Sequence, residues 1–279
     1  MRIKRVFMTN HKVIFGNCAS MKELPDNSVH LMVTSPPYFN APFDYEGMFK
    51  SYEEYLELLK SVAKETFRVL HEGRIAVVNT DDMLVDSQKF PIVADTIKIF
   101  LEAGFRYRDK IVWKKPDGYL RISRRSGVML QHPYPMYFYP DNLLESIIIF
   151  QKGKFEYKNI PKEAKEKSII DLVEFQKKGW YKTLWEMTNV MPRKDRLEKG
   201  IAAFPEELPY RIIKLFSFVG ETVLDPFLGS GTTMKMAREL KRNSVGFEIN
   251  QKLLSIIKKK VGFSQRLLNS QDKFEVIKR

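Results

Sequence analysis

The sequence predicts an α/β protein with a largely parallel sheet and helices on both faces. Three observations carry this prediction. Short apolar runs alternate with amphipathic stretches in the first and last thirds of the chain. A glycine-rich segment, Asp225 to Thr233, joins one such run to a helical stretch, as strand-to-helix crevices of open α/β sheets do. The chain has 279 residues, 44% of them hydrophobic, which suffices for one large domain with a small appendage or two modest ones.

In chain order, Lys12 to Asn17 reads as a strand, Cys18 to Leu24 as a helix and Val29 to Val33 as a second strand. Tyr52 to Leu70 is a helix with apolar positions at Tyr55, Leu58, Leu59, Val62, Phe67 and Leu70, stopped by Gly73. Ile75 to Val78 is a strand, Pro91 to Ala103 a helix closed by Gly104, and Phe105 to Trp113 a strand. Lys114 to Asp195 is less regular, apart from a clear strand at Glu145 to Gln151. Alternation returns with a helix at Pro205 to Phe218 and a strand at Thr222 to Leu224. A helix at Thr232 to Leu240, a strand at Val245 to Ile249 and a helix at Gln251 to Val261 follow. The stretch from Phe263 carries no signal.

Net charge is +13, which suggests a polyanionic partner, most simply nucleic acid, with generic basicity as the competing reading. No apolar run reaches the roughly 18 residues a membrane span needs, and the basic N-terminus leads into no signal-peptide core. Cys18 is the only cysteine, so no internal disulfide and no cysteine-based zinc cluster can form. The four histidines lack metal-ligand spacing. A cytoplasmic, metal-free protein with no membrane association is the expectation.

Two segments carry chemistry. In Thr34-Ser35-Pro36-Pro37-Tyr38, two prolines fix the backbone and remove two donors. The Ser35 and Pro36 carbonyls are left free to accept, beside a hydroxyl and an aromatic ring, an arrangement that could hold an amino-bearing base. A strand ending in a proline turn is the bland alternative. In Asp225-Pro226-Phe227-Leu228-Gly229-Ser230-Gly231-Thr232-Thr233, two glycines permit a tight turn and a close backbone approach. The third glycine of a dinucleotide fingerprint and the Gly-Lys-Ser/Thr of a phosphate loop are both missing, so the loop suits a nucleoside without phosphates. About twenty residues on, Glu248 ends a strand where an acid can accept from ribose hydroxyls.

Together these segments resemble the amino-group DNA methyltransferases, and the proline motif preceding the glycine motif resembles their beta group. The resemblance covers Lys12 to Asn79 and Ala203 to Asn250. It implies a Rossmann-like S-adenosylmethionine-dependent methyltransferase fold in circular permutation. Thr222–Leu224 and Val245–Ile249 would be strands one and two, and Lys12–Asn17 and Val29–Ser35 strands three and four. It implies S-adenosyl-L-methionine as cofactor and S-adenosyl-L-homocysteine as product. Asp225, Pro226, Phe227, Gly229, Ser230, Gly231, Thr232, Thr233 and Glu248 would bind the cofactor. Asn17 and Cys18 would stand where the family often uses an Asp against adenine. Ala203-Phe204-Pro205-Glu206-Glu207-Leu208 resembles a further cofactor-side motif, with Ala202-Ala203 in place of its leading His-Pro.

The implied catalytic residues are Ser35, Pro36, Pro37 and Tyr38. Ser35 and the Pro36 carbonyl would accept the amino hydrogens and localise the nitrogen lone pair. Tyr38 would stack on a base flipped out of the duplex. In this family a Ser at the motif's first position goes with cytosine N4 and an Asp with adenine N6, so Ser35 favours N4, with N6 as the alternative. Carbon-5 chemistry would need a Pro-Cys nucleophile, and Cys18 reads as a structural thiol.

Target recognition is expected in residues 114–195, with 1–113 and 196–279 forming the catalytic domain. Lys114, Lys115, Arg121, Arg124 and Arg125 are the candidates for double-stranded DNA, each also readable as a solvated charge. Phe39, a further candidate for DNA contact, opens an aromatic stretch readable as a lid over the base or as ordinary packing. Trp180, Tyr181 and Trp185 read as the core of a small recognition module. A cognate restriction endonuclease and a homodimer are partners by resemblance. An RNA or protein-amide methyltransferase and an inactive DNA-binding protein are the other readings.

Overall fold

The computed structural model describes residues 8–40, 47–116, 130–138, 140, 143–188, 204–264 and 272–279. Nine strands form one twisted sheet: β1 (Asn10–Phe15), β2 (Val29–Thr34), β3 (Leu70–Thr80), β6 (Arg106–Lys114), β7 (Leu144–Gln151), β8 (Leu184–Glu186), β9 (Thr222–Asp225), β10 (Asn243–Glu248) and β11 (Lys273–Lys278). β4 (Met83–Val85) and β5 (Gln88–Phe90) make a separate hairpin. The order across the sheet is β11-β1-β10-β9-β2-β3-β7-β6-β8. Only β7 runs against its neighbours in that sheet. The central run β1-β10-β9-β2 is the spatial order three-two-one-four expected of the permuted chain, so residues from its two ends interleave.

Side-chain alternation assigns the faces. Met32, Ala76, Val78, Ile148 and Phe150 point to one apolar cluster, and Leu31, Val33, Ile75, Val77, Ile147 and Ile149 to another. The first is covered by α1 (Tyr52–Val69) and α2 (Ile92–Glu102). The second is covered by α5 (Glu207–Phe216) and α6 (Thr232–Glu239). Two short helices, α3 (Lys162–Lys167) and α4 (Leu172–Lys177), lie between β7 and β8. α7 (Leu254–Val261) packs with Val13, Phe15 and Leu228 in a third cluster. α1 starts at Ser51, whose side chain accepts from the Glu54 N–H, while Glu54 accepts from the Lys50 N–H, a reciprocal cap.

Four local expectations are corrected. Cys18 to Leu24 is a series of turns, not a helix. Its backbone groups are taken by side chains from elsewhere: Glu65 accepts from Met21 N–H, Arg68 donates to the Met21 and Leu24 carbonyls, and Arg279 donates to those of Asn17 and Ser20. Gly73 does not separate α1 from β3, because β3 begins at Leu70 and Gly73 lies within it at φ 79°. The stretch after Phe263 supplies β11, which pairs in parallel with β1. Trp180 and Trp185 belong to the main body. Trp185 is buried on β8 with Trp113 and Ile147, and Trp180 meets Tyr210 of α5 edge to face at 5.9 Å.

Candidate active site

β1, β10, β9 and β2 are parallel neighbours, so their carboxyl ends open on one edge of the sheet. Asn17 follows β1, Glu248 ends β10, Asp225 ends β9 and Ser35 follows β2. A cavity of about 450 Å³ lies at that edge. Of the expected residues it is lined by Asn17, Cys18, Ser35, Pro37, Asp225, Pro226, Phe227, Gly229, Ser230, Thr232 and Glu248. Pro36, Tyr38, Gly231 and Thr233 are buried and do not line it. The proline and glycine motifs, at opposite ends of the chain, therefore share one cavity.

The glycine loop owes its shape to backbone that L side chains rarely adopt. Gly229 has φ 53°, and Gly231, the N-cap of α6, has φ 90°. Asp225 Oδ1 ties the loop to the proline strand, accepting the Thr34 hydroxyl at 2.6 Å and the Phe227 N–H at 3.1 Å. Glu248 accepts the Gly229 N–H on Oε2 at 2.9 Å and the Asn250 N–H on Oε1 at 2.8 Å. The carboxylate is thus held in place while other lone pairs stay available. Lys260 of α7 donates to the hydroxyls of Ser230 and Thr232.

The electrostatics of the cavity are one-sided. Asp225, Glu248 and Glu54 line it, and no described Lys or Arg does. Burial lifts the Asp225 carboxyl from 3.8 to about 6 and raises Glu248 as well. Burial likewise pushes the Cys18 thiol up to about 12, which keeps it neutral and poorly nucleophilic. A cavity lined by carboxylates and apolar walls, with the Lys260 ammonium taken up behind the Ser230 and Thr232 hydroxyls, disfavours a phosphate. It fits a cationic, phosphate-free nucleoside.

Several expected DNA contacts are engaged within the protein. Phe39 is buried among Phe49, Tyr52, Tyr55 and Phe90, with ring centroids 4.8–6.4 Å away. The structure makes it core rather than a surface for DNA. Lys115 pairs with Glu145 at 2.9 Å, and Lys114 faces Glu186 at 3.7 Å. Arg121, Arg124 and Arg125, the rest of the aromatic stretch at 41–46, and Ala202 and Ala203 lie outside the described residues. Tyr38 is buried, its hydroxyl donating to Glu145 at 2.8 Å, and burial followed by the Glu145 charge raises its phenol well above the usual range.

The sequence reasoning missed Gly16, Met48, Phe49, Glu54, Leu58, Phe247, Ile249, Asn250 and Leu253 as lining residues; Phe204 falls in the flagged cofactor-side motif. Ile249 offered a signal, being a large apolar residue beside Glu248 at a strand end, and it is 63% exposed. Among the described residues, no cluster of His, Cys, Asp and Glu is placed to hold a metal, and no helix is long and apolar enough to cross a membrane.

Comparison with known proteins agrees with this geometry. The N6/N4 DNA methylase family profile matches residues 29–259. The type II methyltransferase M.MjaI of Methanocaldococcus jannaschii is 35% identical, over 97% of both chains. M.MthZI of Methanothermobacter thermautotrophicus is 30% identical, over 94% of this chain and 79% of its own. Among solved structures, TTHA0409 of Thermus thermophilus, described as a DNA modification methylase and complexed with S-adenosyl-L-methionine, superposes with a TM-score of 0.74. It is 27% identical, over 96% of this chain and 98% of its own.

Proposed function

The chain belongs to the N6/N4 DNA methylase family as an S-adenosylmethionine-dependent DNA methyltransferase, and on that premise we propose that it methylates the exocyclic N4 of cytosine in duplex DNA. The shared cavity carries the reading: Ser35 and Pro37 line the same space as Asp225, Gly229 and Glu248. When bound there, S-adenosyl-L-methionine supplies an electrophilic methyl group. Glu248, its carboxylate held by two backbone N–H groups, would accept from ribose hydroxyls. Asn17, Phe227 and Ile249, which line the same cavity, would hold the base of the nucleoside. Asp225 and Glu54 favour positive charge in the cavity.

An exocyclic amino nitrogen is a weak nucleophile because its lone pair is delocalised into the ring. The Ser35 hydroxyl and the Pro36 carbonyl accept its two hydrogens, which turns the lone pair toward the cavity. Positioning and preorganised dipoles then lower the barrier. Carbon-5 chemistry does not suit a thiol raised to about 12. The Ser at the head of the proline motif favours cytosine over adenine N6. Residues 114–195 are assigned to target recognition, although β7 and β8 within that span belong to the main sheet. A cognate endonuclease and a homodimer complete the proposal.

Nucleoside mass spectrometry of DNA from cells expressing the chain tests the base. N4-methylcytosine is expected. N6-methyladenine in its place would overturn the cytosine assignment, and absence of both would count against DNA as substrate. Ser35→Ala tests the clamp: turnover should fall roughly 100-fold while calorimetry shows unchanged cofactor affinity.

A further inference from the structure

Glu145 sits on β7, opposite Trp113 of β6. It is 7% exposed, yet its carboxylate takes three donors. The Tyr38 hydroxyl at 2.8 Å and Asn79 Nδ2 at 2.6 Å meet Oε2, and Lys115 Nζ at 2.9 Å meets Oε1. Asn79 is at the end of β3, Lys115 directly follows β6, and Tyr38 closes the segment that follows β2. A buried ion pair is weak ground for stability, since well-packed apolar residues often serve as well or better. The site therefore calls for another reason.

The reason lies in the proline motif. Pro36 and Pro37 have no N–H, so the middle of this backbone cannot be pinned by donation. Its closing residue, Tyr38, is buried and finds its hydrogen-bond acceptor in Glu145. The Ser35 side chain abuts the same phenol. Asn79 and Lys115 fix the carboxylate from either side, so Glu145 has little freedom to leave the phenol. We propose that Glu145 is the positioning residue of the clamp: by holding the Tyr38 hydroxyl it sets where the Ser35 hydroxyl and the Pro36 carbonyl meet the target amino group. The inference rests on the clamp reading of Ser35 to Tyr38. It also gives Lys115 a role inside the protein, as the countercharge of Glu145.

The test uses the full chain, S-adenosyl-L-methionine and unmethylated duplex DNA made by amplification. Wild type is compared with S35A, Y38F, E145Q, Y38F/E145Q and E145Q/K115M. A misplacement near 1 Å costs up to about 100-fold in rate, so E145Q should lower kcat roughly 10- to 100-fold. KM for the cofactor should stay within about twofold. In E145Q the amide oxygen turns to Lys115 and its NH2 meets the donors of Tyr38 and Asn79. E145Q/K115M frees that oxygen for Tyr38, so it should recover much of the lost kcat. Y38F should lose a similar factor, and the double variant Y38F/E145Q should be no worse than the poorer single.

Wild-type kcat in E145Q, or losses that multiply in the double variant, would overturn the proposal. Should E145Q fail to fold, Y38F still decides: full turnover without the hydroxyl refutes it. If S35A keeps full turnover, the clamp reading itself fails. If S35A loses turnover and E145Q does not, only the inference about Glu145 fails.

Discussion

Asp225→Asn separates what the cavity needs from what the fold needs. Asp225 is 3% exposed, and burial lifts it from 3.8 to about 6 even though Thr34 and Phe227 donate to it. A carboxyl whose folded value exceeds its unfolded one binds its proton more tightly in the native state. Its favourable contribution is complete below the unfolded value and is lost as pH rises through about 6. Above that pH the ionised group weighs against folding by about 3 kcal/mol. Asn keeps an Oδ1 acceptor for Thr34 and Phe227, lets the Thr233 hydroxyl, a third partner of Asp225, turn to accept from Nδ2, and removes the charge. Asp225→Asn should therefore be more stable than wild type at pH 8, by up to about 3 kcal/mol, which is roughly 1 M in the urea midpoint. The gain should shrink as pH falls and vanish near pH 4. The Asp225 charge also helps raise Glu248, so part of the pH-dependent gain comes from relief of that repulsion. A destabilised variant at pH 8, or an offset that ignores pH, would refute the assignment of the charge cost. Calorimetry should give the complementary result. Wild-type affinity for the sulfonium cofactor should fall as pH drops through 6, and the variant should bind more weakly with a flatter profile. A buried charge kept against stability is what a functional site looks like.

Three further outcomes are expected. Arg279 donates to the Asn17 and Ser20 carbonyls at 2.9 and 2.6 Å and pairs with Glu23, so Arg279→Ala should cost about 1.5–3 kcal/mol in thermal denaturation and weaken cofactor binding through Asn17. A Cβ at Gly246 would lie 2.6 Å from Leu228 Cδ1, so Gly246→Ala should cost about 1–3 kcal/mol, and Leu228→Ala in the same chain should relieve it in urea titrations. Phe39→Ala should cost about 3–5 kcal/mol from the aromatic cluster, while Phe39→Leu should bind duplex DNA as wild type does in fluorescence anisotropy. A weakened Phe39→Leu of unchanged stability would restore Phe39 to the DNA surface.

The parts legible in the sequence were those where chemistry restricts residue type. A turn at φ 90° calls for glycine, two removed donors call for proline, and a strand-end acid stands out beside an apolar run. The strand order also followed once the motif order implied a permutation, because each motif marks a particular strand end. What stayed illegible depended on partners far away in sequence. Cys18, Met21 and Leu24 are spaced as on a helix, but Glu65, Arg68 and Arg279 take the backbone bonds a helix would use. Lys273–Lys278 was unreadable as a strand because the partner that makes it one, β1, lies at the other end of the chain.

Lys115 shows why supporting residues are harder to read than motif residues. Its type and basic neighbours fit a DNA groove, and nothing local distinguishes that use from an internal ion pair. Its partner Glu145 opens a strand and belongs to no motif. Many acceptors of the right reach could hold Tyr38, so selection on function leaves no fixed spacing there for a sequence to display. Only the convergence of Tyr38, Asn79 and Lys115 on one buried carboxylate separates Glu145 from an ordinary strand-end acid, and that convergence exists only in three dimensions.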